Sequence, residues 1–222
     1  MRRRFRLHGL KPVQPSEMTG RPNRTESQRR EPKRCWGSVD PAYIAYHDEE
    51  WGRPVLDERG LLERFCLEGF QSGLSWLTIL RKRENFRAAF KGFDPERVAR
   101  FGERDVKRLL GDAGIIRHRG KIEAAIANAR GTLALREAGT PLNELVWEHR
   151  PRRPRAPRSP RDWTATTPES VALSKALKRA GFRFVGPTTV YAAMQACGVV
   201  NDHLASCIVR RDVEAAIANA LR

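Results

Sequence analysis

Helical spacing of apolar residues, interrupted by proline and glycine, is the feature that most restricts how this 222-residue chain can fold. After Glu58, apolar side chains recur every three or four positions as far as Phe70, and Gly73 follows as a helix stop. Asp40–Pro41 and Asp94–Pro95 each join an N-cap residue to a proline at the first helical position. No stretch alternates apolar and polar residues as the strands of a hairpin do. The sequence therefore predicts an all-α fold.

The same signals predict the remaining elements. Ser75 is the predicted cap of a helix that places Ile79, Phe86 and Phe90 on one face. Further helices are predicted at 41–50, from 95, at 105–110, from 122, from 168 and at 190–197, and a last short helix carries His203 and Cys207. Residues 150–161 alternate arginine and proline, which predicts an extended linker without helix.

Positive charge is concentrated in two segments outside the predicted helices. Residues 1–34 hold eleven Lys or Arg and three Glu, and residues 150–161 hold six Arg and no acidic residue, so the two segments supply +14 of the net charge of +16. We interpret 1–33 as a disordered basic tail, 34–208 as the folded domain and 209–222 as a C-terminal extension. Such basic segments attract polyanions such as nucleic acids, although a solvated tail and linker with no binding role explain the composition equally well.

Hydropathy and cysteine content bear on location. No run of 18 or more apolar residues occurs, so no membrane span is predicted, and the basic N-terminus lacks the apolar stretch of a secretory signal. The four cysteines have unrelated spacings, which predicts reduced thiols in the cytoplasm and not a disulfide framework.

Two Cys–His pairs at opposite ends of the sequence form a candidate metal site. Cys35 precedes the first predicted helix and His47 lies on it, whereas His203 and Cys207 are four residues apart and would share a helix face. The four residues could form a closed Cys2His2 tetrahedron with no open position for catalysis. With four cysteines and five histidines in the chain, the spacing is also compatible with a chance pairing.

The segment from Gly181 to Thr189 predicts a glycine-rich turn that enters a helix. Backbone N–H groups at such a position can bind a phosphate at the positive end of the helix dipole. This is the pattern of a helix–hairpin–helix, which contacts the DNA backbone. A plain corner between two helices, with glycine present for steric reasons, explains the same residues.

Aromatic residues are concentrated between Cys35 and Trp76, a stretch that contains three of the five tryptophans and two of the three tyrosines. One carboxylate, Glu68, lies inside an apolar run of this stretch. Aromatic faces around a single acid suit a flat, electron-poor ring. Helical aromatic residues more often belong to the core, and such a carboxylate more often lies at the solvent edge. A buried Glu68 would favour a cationic or proton-donating partner.

Long runs of the sequence resemble DNA-3-methyladenine glycosylase I, the constitutive alkylpurine glycosylase family of bacteria within the helix–hairpin–helix superfamily. The resemblance covers about residues 34–207 and is carried, in this order, by the runs 40–52, 67–76, 83–86, 112–122, 181–186 and 194–203. It implies that 34–208 form a helix–hairpin–helix glycosylase domain. It also implies a structural zinc ion that joins the N- and C-terminal segments through Cys35, His47, His203 and Cys207.

The resemblance further implies roles for single residues. The family's pocket acid falls at Glu68, its base-stacking aromatic residues fall at Tyr46 and Trp76, and we assign Tyr43 and Trp51 to the same base-binding group. The residues expected to contact DNA are Gly73 and Leu74 of a probing loop and Gly181, Val185, Gly186 and Thr188 of the hairpin. The chain departs from the family in three respects. The spacing from Cys35 to Asp40 is one residue shorter than in some relatives, and an Arg/Pro linker replaces a more ordinary polar loop. Residues 1–33 and about 210–222 have no counterpart in the family.

The implied activity is hydrolysis of the N-glycosidic bond of 3-methyladenine in alkylated double-stranded DNA by a cytoplasmic monomer. No lysine stands at the exit of the hairpin, so a monofunctional enzyme that leaves an abasic site is expected. Asp202 follows the hairpin, but the family is regarded as lacking the catalytic aspartate of the superfamily, and Asp202 is not assigned to catalysis. An iron–sulfur endonuclease would need four closely spaced cysteines, which this sequence lacks. The remaining alternative is a DNA-binding module that zinc holds together and that has no catalytic activity.

Overall fold

A computed structural model describes residues 33–152 and 155–222 of the chain. Within these ranges the chain forms helices and turns and no β-strand, which confirms the predicted all-α class. The predicted disordered tail lies outside the described residues, apart from its last residue. The α-helices are α1 (Pro41–Ala45), α2 (Glu58–Gln71), α3 (Trp76–Ala89), α4 (Pro95–Ala99), α5 (Glu103–Gly111), α6 (Arg119–Glu137), α7 (Leu142–Glu148), α8 (Pro168–Arg179), α9 (Pro187–Ala196) and α10 (Arg210–Ala220). A π-helical turn (Tyr46–Glu50) continues α1, and 3-10 turns lie at Lys91–Phe93 and Pro160–Asp162.

Side-chain caps begin several helices at the residues that the sequence predicted. Asp40 accepts hydrogen bonds from the backbone N–H groups of Ala42 and Tyr43, at 3.0 and 3.2 Å. Asp94 caps α4 through the same type of contact, and Ser75 Oγ accepts from the backbone at the start of α3. These bonds satisfy donors that a first helical turn leaves unpaired. The predicted starts of α1, α3 and α4 are therefore confirmed.

Helix α2 lies at the centre of the core. Nine of its fourteen residues are buried, and it packs against α3, α6, α7 and α9. Phe65 and Phe70 of α2 are buried together with Phe86 and Phe90 of α3. Burial of each such side chain stabilises the fold by roughly 1.5–3 kcal/mol. A residue on the buried face of α2 is consequently held rigidly among its neighbours.

The predicted last short helix, which would carry His203 and Cys207, is wrong, because residues 201–208 form a bend and isolated turns without a helix. Three of their backbone N–H groups bond to distant parts of the chain, and Cys207 N–H donates to the carbonyl of Leu204, three and not four residues earlier. Leu204 N–H donates to Cys35 Sγ at 3.3 Å. Two similar bonds run from Ala205 to the carbonyl of Pro157 and from Ile208 to the carbonyl of Lys33. The donors that a helix would need are thus already used.

The structure contains two helices, α7 and α10, that the sequence did not predict. Helix α10 lies in the predicted C-terminal extension and buries Val213 and Ile217, which are four residues apart and share one face. Val213 Cγ1 lies 3.3 Å from the position that a Cβ atom would take on Gly52, so α10 packs against the turn after the π-helical segment. The described part of the linker contains no α-helix, as predicted, and only the single 3-10 turn near its end. No helix of the described ranges is long and apolar enough to cross a bilayer.

Candidate active site and metal site

Residues from both ends of the described region meet in one buried cluster formed by Cys35, His47, His203 and Cys207. Their candidate ligand atoms all lie within 4.8 Å of one another. The Sγ atoms of Cys35 and Cys207 are 3.3 and 3.4 Å from His203 Nδ1, and Cys207 Sγ is 3.6 Å from His47 Nε2. Zinc bonds of about 2.0–2.3 Å in a tetrahedron give ligand separations of roughly 3.3–3.8 Å. The donor set therefore fits one metal ion, and the group could bind a metal.

Hydrogen bonds behind each imidazole determine which ring nitrogen faces the cluster. His47 Nδ1 is 2.7 Å from Asp48 Oδ1, and His203 Nε2 is 2.9 Å from the carbonyl of Trp51. These bonds turn His47 Nε2 and His203 Nδ1 toward the cluster, where His47 Nε2 also accepts from the backbone N–H of Cys35 at 3.2 Å. Burial lowers the pKa of His203 to about 4 and also lowers the pKa of His47. Both rings are therefore neutral near pH 7, as metal ligands must be.

Arg210, the first residue of α10, fixes the segment that carries His203. Its side chain is buried and donates to the backbone carbonyls of Asn201, at 3.1 Å, and of His203. Asn201 Nδ2 donates in return to the carbonyl of Arg210 at 3.2 Å. The C-terminal extension thus contributes directly to the geometry of the cluster.

Three of the predicted base-binding aromatic residues lie side by side. The ring centroids of Tyr46 and Trp76 are 5.1 Å apart, and those of Tyr43 and Tyr46 are 6.5 Å apart in a stacked arrangement. Tyr46 comes from the π-helical turn, Trp76 from the start of α3 and Tyr43 from α1. Tyr46 and Trp76 are buried, whereas Tyr43 is partly exposed. The structure therefore brings these three residues together.

The fourth aromatic residue, Trp51, lies at the metal end of the same group of rings. Its centroid is 4.6 Å from the His203 ring and 4.8 Å from the Trp36 ring. Trp36 in turn lies 5.5 Å from Tyr43. The rings thus form a continuous row from the metal cluster to Trp76, and Trp51 packs against the cluster.

Glu68 is a buried carboxylate on α2, with 7% of its surface exposed. No side chain or backbone N–H in the described ranges donates a hydrogen bond to it, and burial raises its pKa to about 8, an effect that the positive charge of Arg64 opposes. The charge of Glu68 also adds to the raised pKa of Tyr43 and of Tyr46, after the larger effect of burial. The charge of Glu68 therefore acts on both tyrosines of the aromatic row, and within the described ranges its carboxylate has no hydrogen-bond donor.

Trp76 provides a second unsatisfied polar atom beside Tyr46. Its indole Nε1 is buried and has no hydrogen-bond acceptor in the part of the chain that the structure describes. A buried tryptophan N–H usually has a partner. A bound molecule that accepts from the indole and donates to, or carries a positive charge toward, Glu68 would satisfy both groups.

The predicted probing loop is a fixed turn between α2 and α3. Gly73 has a φ of +80°, a left-handed conformation that favours glycine, and Leu74 is 42% exposed. Lys121 of α6 holds the turn, because its Nζ donates to the carbonyls of Phe70 and Ser72 at 2.9 and 2.6 Å. The loop therefore presents an apolar side chain to solvent from a rigid base.

Residues 181–186 form the predicted turn between α8 and α9, and α9 begins at Pro187, three residues before the predicted start at Val190. Gly181 has a φ of +88°, and Gly186 is the N-cap residue of α9. Gly181 and Thr188 are exposed and Gly186 is partly exposed, whereas the side chain of Val185 is buried. Val185 can therefore contact a ligand only through its backbone.

Two buried side chains fix this turn, and Phe184 connects it to α2. Asn128 Oδ1 accepts from the backbone N–H of Arg183 at 2.7 Å, and Ser174 Oγ donates to the carbonyl of Val185 at 2.6 Å. Phe184 adopts a positive φ of 55°, and its Cβ lies 3.3 Å from where a Cβ of Gly69 would be. The turn consequently packs against the residue that follows Glu68.

The carboxylate and the backbone carbonyl of Asp202 are held by hydrogen bonds from other side chains. Its Oδ2 accepts from Tyr191 Oη at 2.6 Å and from Gln195 Nε2 at 2.7 Å, and its carbonyl accepts from Trp163 Nε1 at 3.0 Å. These contacts join the turn after α9 to the segment before α8, and Asp202 holds this junction together.

Sequence reasoning did not single out Arg64, Lys121, Asn128 or Arg210, which hold the site residues or their loops. Arg64 offered one signal, since it is a basic residue inside the apolar spacing that predicted α2. Lys121 and Asn128 have partners at least 49 positions away, so no local pattern identifies them. The partners of Arg210 are nearer, but they lie in a non-helical segment whose course the sequence did not predict.

The chain belongs to the methyladenine glycosylase family, whose family model matches residues 36–211. DNA-3-methyladenine glycosylase 1 of Escherichia coli strain K12 is 55% identical over 179 residues, which cover 79% of this chain and 95% of that protein. A crystal structure of 3-methyladenine DNA glycosylase I matches with a TM-score of 0.77 at 54% identity and covers 79% of this chain and 98% of that one. A tyrosine-to-phenylalanine variant of such an enzyme, solved in complex with 3-methyladenine, matches with a TM-score of 0.76 at 35% identity and covers 79% and 96% of the two chains.

Proposed function

We propose that this protein is a DNA repair glycosylase that hydrolyses the N-glycosidic bond of 3-methyladenine in alkylated DNA and leaves an abasic site. The family and its relatives support this activity. The observation that carries it is the Glu68 carboxylate, which is buried without a hydrogen-bond donor in the described ranges and whose charge acts on Tyr46, the ring neighbour of Trp76. A flat cation supplies the missing partner through charge attraction and through contact with the aromatic faces.

The chemistry requires little acid catalysis. Methylation at N3 makes the base of the nucleotide positively charged, so the base leaves as a neutral molecule. The protein must take the nucleotide out of the duplex and hold the cationic base against the aromatic group of Tyr46 and Trp76. The positive charge of the base favours the ionised form of Glu68, and that negative charge also stabilises the positive charge that develops on the sugar. Water is the nucleophile.

We infer that Cys35, His47, His203 and Cys207 bind one zinc ion. Four protein ligands leave no open coordination position, so the ion is structural and contributes free energy of folding. His47 directly follows Tyr46 in the chain. Zinc bound at this cluster therefore also restrains one wall of the base pocket.

Double-stranded DNA is the proposed partner of a monomeric, cytoplasmic protein. The turn at 181–189 acts as a helix–hairpin–helix, in which Gly181, Gly186 and Thr188 and the backbone of Val185 contact phosphates. Gly73 and Leu74 enter the space left by the extruded nucleotide. The contact between Phe184 and Gly69 supports this arrangement, since it places the hairpin next to the residue after Glu68. The domain proposed for this task is 34–208, and the basic tail and linker add non-specific affinity.

Release of 3-methyladenine from methylated duplex DNA by the purified protein tests the activity. Trp76→Ala should weaken base binding by about 1–3 kcal/mol through the loss of a stacking face. Glu68→Gln should slow release moderately, because the methylated base already leaves readily. Trp147→Ala is a matched control, since Trp147 donates to the carbonyl of Val55 and is not part of the aromatic row. If the wild type binds DNA and releases no base, the alternative is favoured, namely a DNA-binding module that zinc holds together and that has no catalytic activity.

A further inference from the structure

Arg64 is a buried charged residue to which the proposed chemistry gives no role. Its side chain is 11% exposed, and it precedes Glu68 by four residues on α2. Residues four apart on a helix share a face, with Cβ atoms about 5–6 Å apart. Arg64 is therefore the charged neighbour of the pocket carboxylate along the helix.

Arg64 belongs to a row of alternating charges that crosses three helical segments. Arg83 of α3 donates to Glu50 of the π-helical turn at 2.5 and 2.8 Å, and Arg64 Nη2 donates to the same carboxylate at 3.1 Å. The other terminal nitrogen, Arg64 Nη1, is buried without a hydrogen-bond partner in the described ranges. Glu84 also lies 3.9 Å from Arg83, but it is exposed and pairs with Arg87 at 2.7 Å, so it does not balance the charge of Arg64. The ionised form of Glu68 supplies a negative charge for Arg64, because a buried ion requires a counter-charge.

The other described groups that face Glu68 are uncharged near neutral pH. The pKa values of Tyr43 on α1 and Tyr46 on the π-helical turn are raised, and burial raises the pKa of Cys197, at the end of α9, to about 12. The hairpin turn contributes an apolar side chain, Phe184, beside Gly69. The cations on the remaining packed helices are bound elsewhere: Lys121 of α6 to the carbonyls of Phe70 and Ser72, and Arg83 of α3 to Glu50.

We propose that Arg64 is a positioning residue of the pocket, whose guanidinium stabilises the ionised form of Glu68 and so sets the preference for cationic over neutral bases. The inference rests on the proposed function, in which Glu68 faces the extruded base. Without Arg64, Glu68 keeps its proton to a higher pH and accepts a cation less readily. Arg64 lowers the pKa of Glu68 against the larger effect of burial, and an opposite charge within about 4–6 Å moves a carboxyl pKa by about 1–3. Loss of Arg64 should therefore raise the pH midpoint of cation binding by at least about one pH unit and weaken binding near neutral pH about tenfold.

Titration with 3,9-dimethyladeninium, a flat cation, followed by tryptophan fluorescence across the pH range, measures this midpoint in the full-length protein. Arg64→Met removes the charge at similar length and should raise the midpoint, whereas Arg64→Lys keeps the charge and should stay near the wild type. Arg83→Met is the matched control: it removes the other guanidinium bound to Glu50, is not adjacent to Glu68 on α2, and should shift the midpoint far less. Glu68→Gln should abolish the pH dependence.

An Arg64→Met protein that folds and keeps the wild-type midpoint overturns the inference. If Arg64→Met does not fold, Glu50→Gln provides the test. This variant removes the other carboxylate bound to Arg64, so Arg64 interacts with Glu68 alone and the pH midpoint of cation binding should fall. An unchanged or raised midpoint in Glu50→Gln overturns the inference as well. Release of 3-methyladenine from methylated duplex DNA is measured on the same wild-type preparation. Absence of release refutes the proposed function, whereas release together with an unmoved midpoint refutes only the role of Arg64.

Discussion

Replacement of Glu68 by glutamine should stabilise the protein, and increasingly so as the pH rises. The pKa of Glu68 is raised from an ordinary value of 4.5 to about 8, so the folded protein holds this proton more tightly than the unfolded chain does. Between these two values the unfolded state binds fewer protons, and the free energy of unfolding of the wild type falls as the pH rises. Glutamine has the same size as glutamate but does not ionise. The free energy of unfolding of the variant therefore does not fall with pH for this reason.

The expected size of the effect follows from the same pKa difference. At 1.36 kcal/mol per pKa unit, the advantage of Glu68→Gln over the wild type should grow by about 3 kcal/mol between roughly pH 5 and pH 8. Other titrating groups, including those of the metal cluster, are present in both proteins and cancel in the comparison. Burial of the carboxylate without a donor is the physical source of the effect.

Urea denaturation of both proteins at the two pH values measures the difference in the free energy of unfolding. Glu103→Gln serves as a control, because an exposed Glu103 bound to Arg119 has a lowered pKa and is ionised in both states over this range. The gap between Glu103→Gln and the wild type should therefore change little with pH. A constant gap for Glu68→Gln would show that the folded protein holds Glu68 ionised, and the account of its isolated burial would be refuted.

Three further predictions concern the metal cluster and the tail. Cys207→Ser should lower the melting temperature and abolish binding of about one zinc per chain, measured by metal analysis; a metal-free wild type of unchanged stability would contradict this. Arg210→Met should speed the loss of zinc to a chelator, because His203 loses its backbone clamp, and an unchanged rate would rule the clamp out. Deletion of residues 2–32 should leave excision intact and make DNA affinity less dependent on salt; an unchanged salt slope would argue against phosphate contacts by the tail.

The helix starts were predictable from the sequence because their causes are local. Asp40 and Ser75 each bond to backbone groups within three residues, so the residues that set the boundary are neighbours in the sequence. The segment around His203 and Cys207 was not predictable in this way. Its donors bond to residues such as Cys35, more than 160 positions away, and helical spacing carries no information about such partners.

The pocket shows the same division between local and distant causes. The resemblance implies that Glu68, Tyr46 and Trp76 share one site, and the structure places the rings of Tyr46 and Trp76 side by side. The environment of Glu68 depends on burial beneath several helices and on Arg64, and neither follows from the order of residues in α2 alone.

The order of the four cluster residues along the chain determines when the proposed zinc site can form during synthesis. Cys35 and His203 are 168 positions apart. At about 5–20 residues per second on the ribosome, the first half of the site waits roughly 8–34 s for the second half. During this interval Cys35 is an unliganded thiol, and Tyr46, next to His47, has no anchor on one side. A nascent chain released before residue 203 contains Glu68 and Trp76 but lacks two of the four proposed ligands. The proposed zinc anchor of Tyr46 can therefore form only after Cys207 has been synthesised.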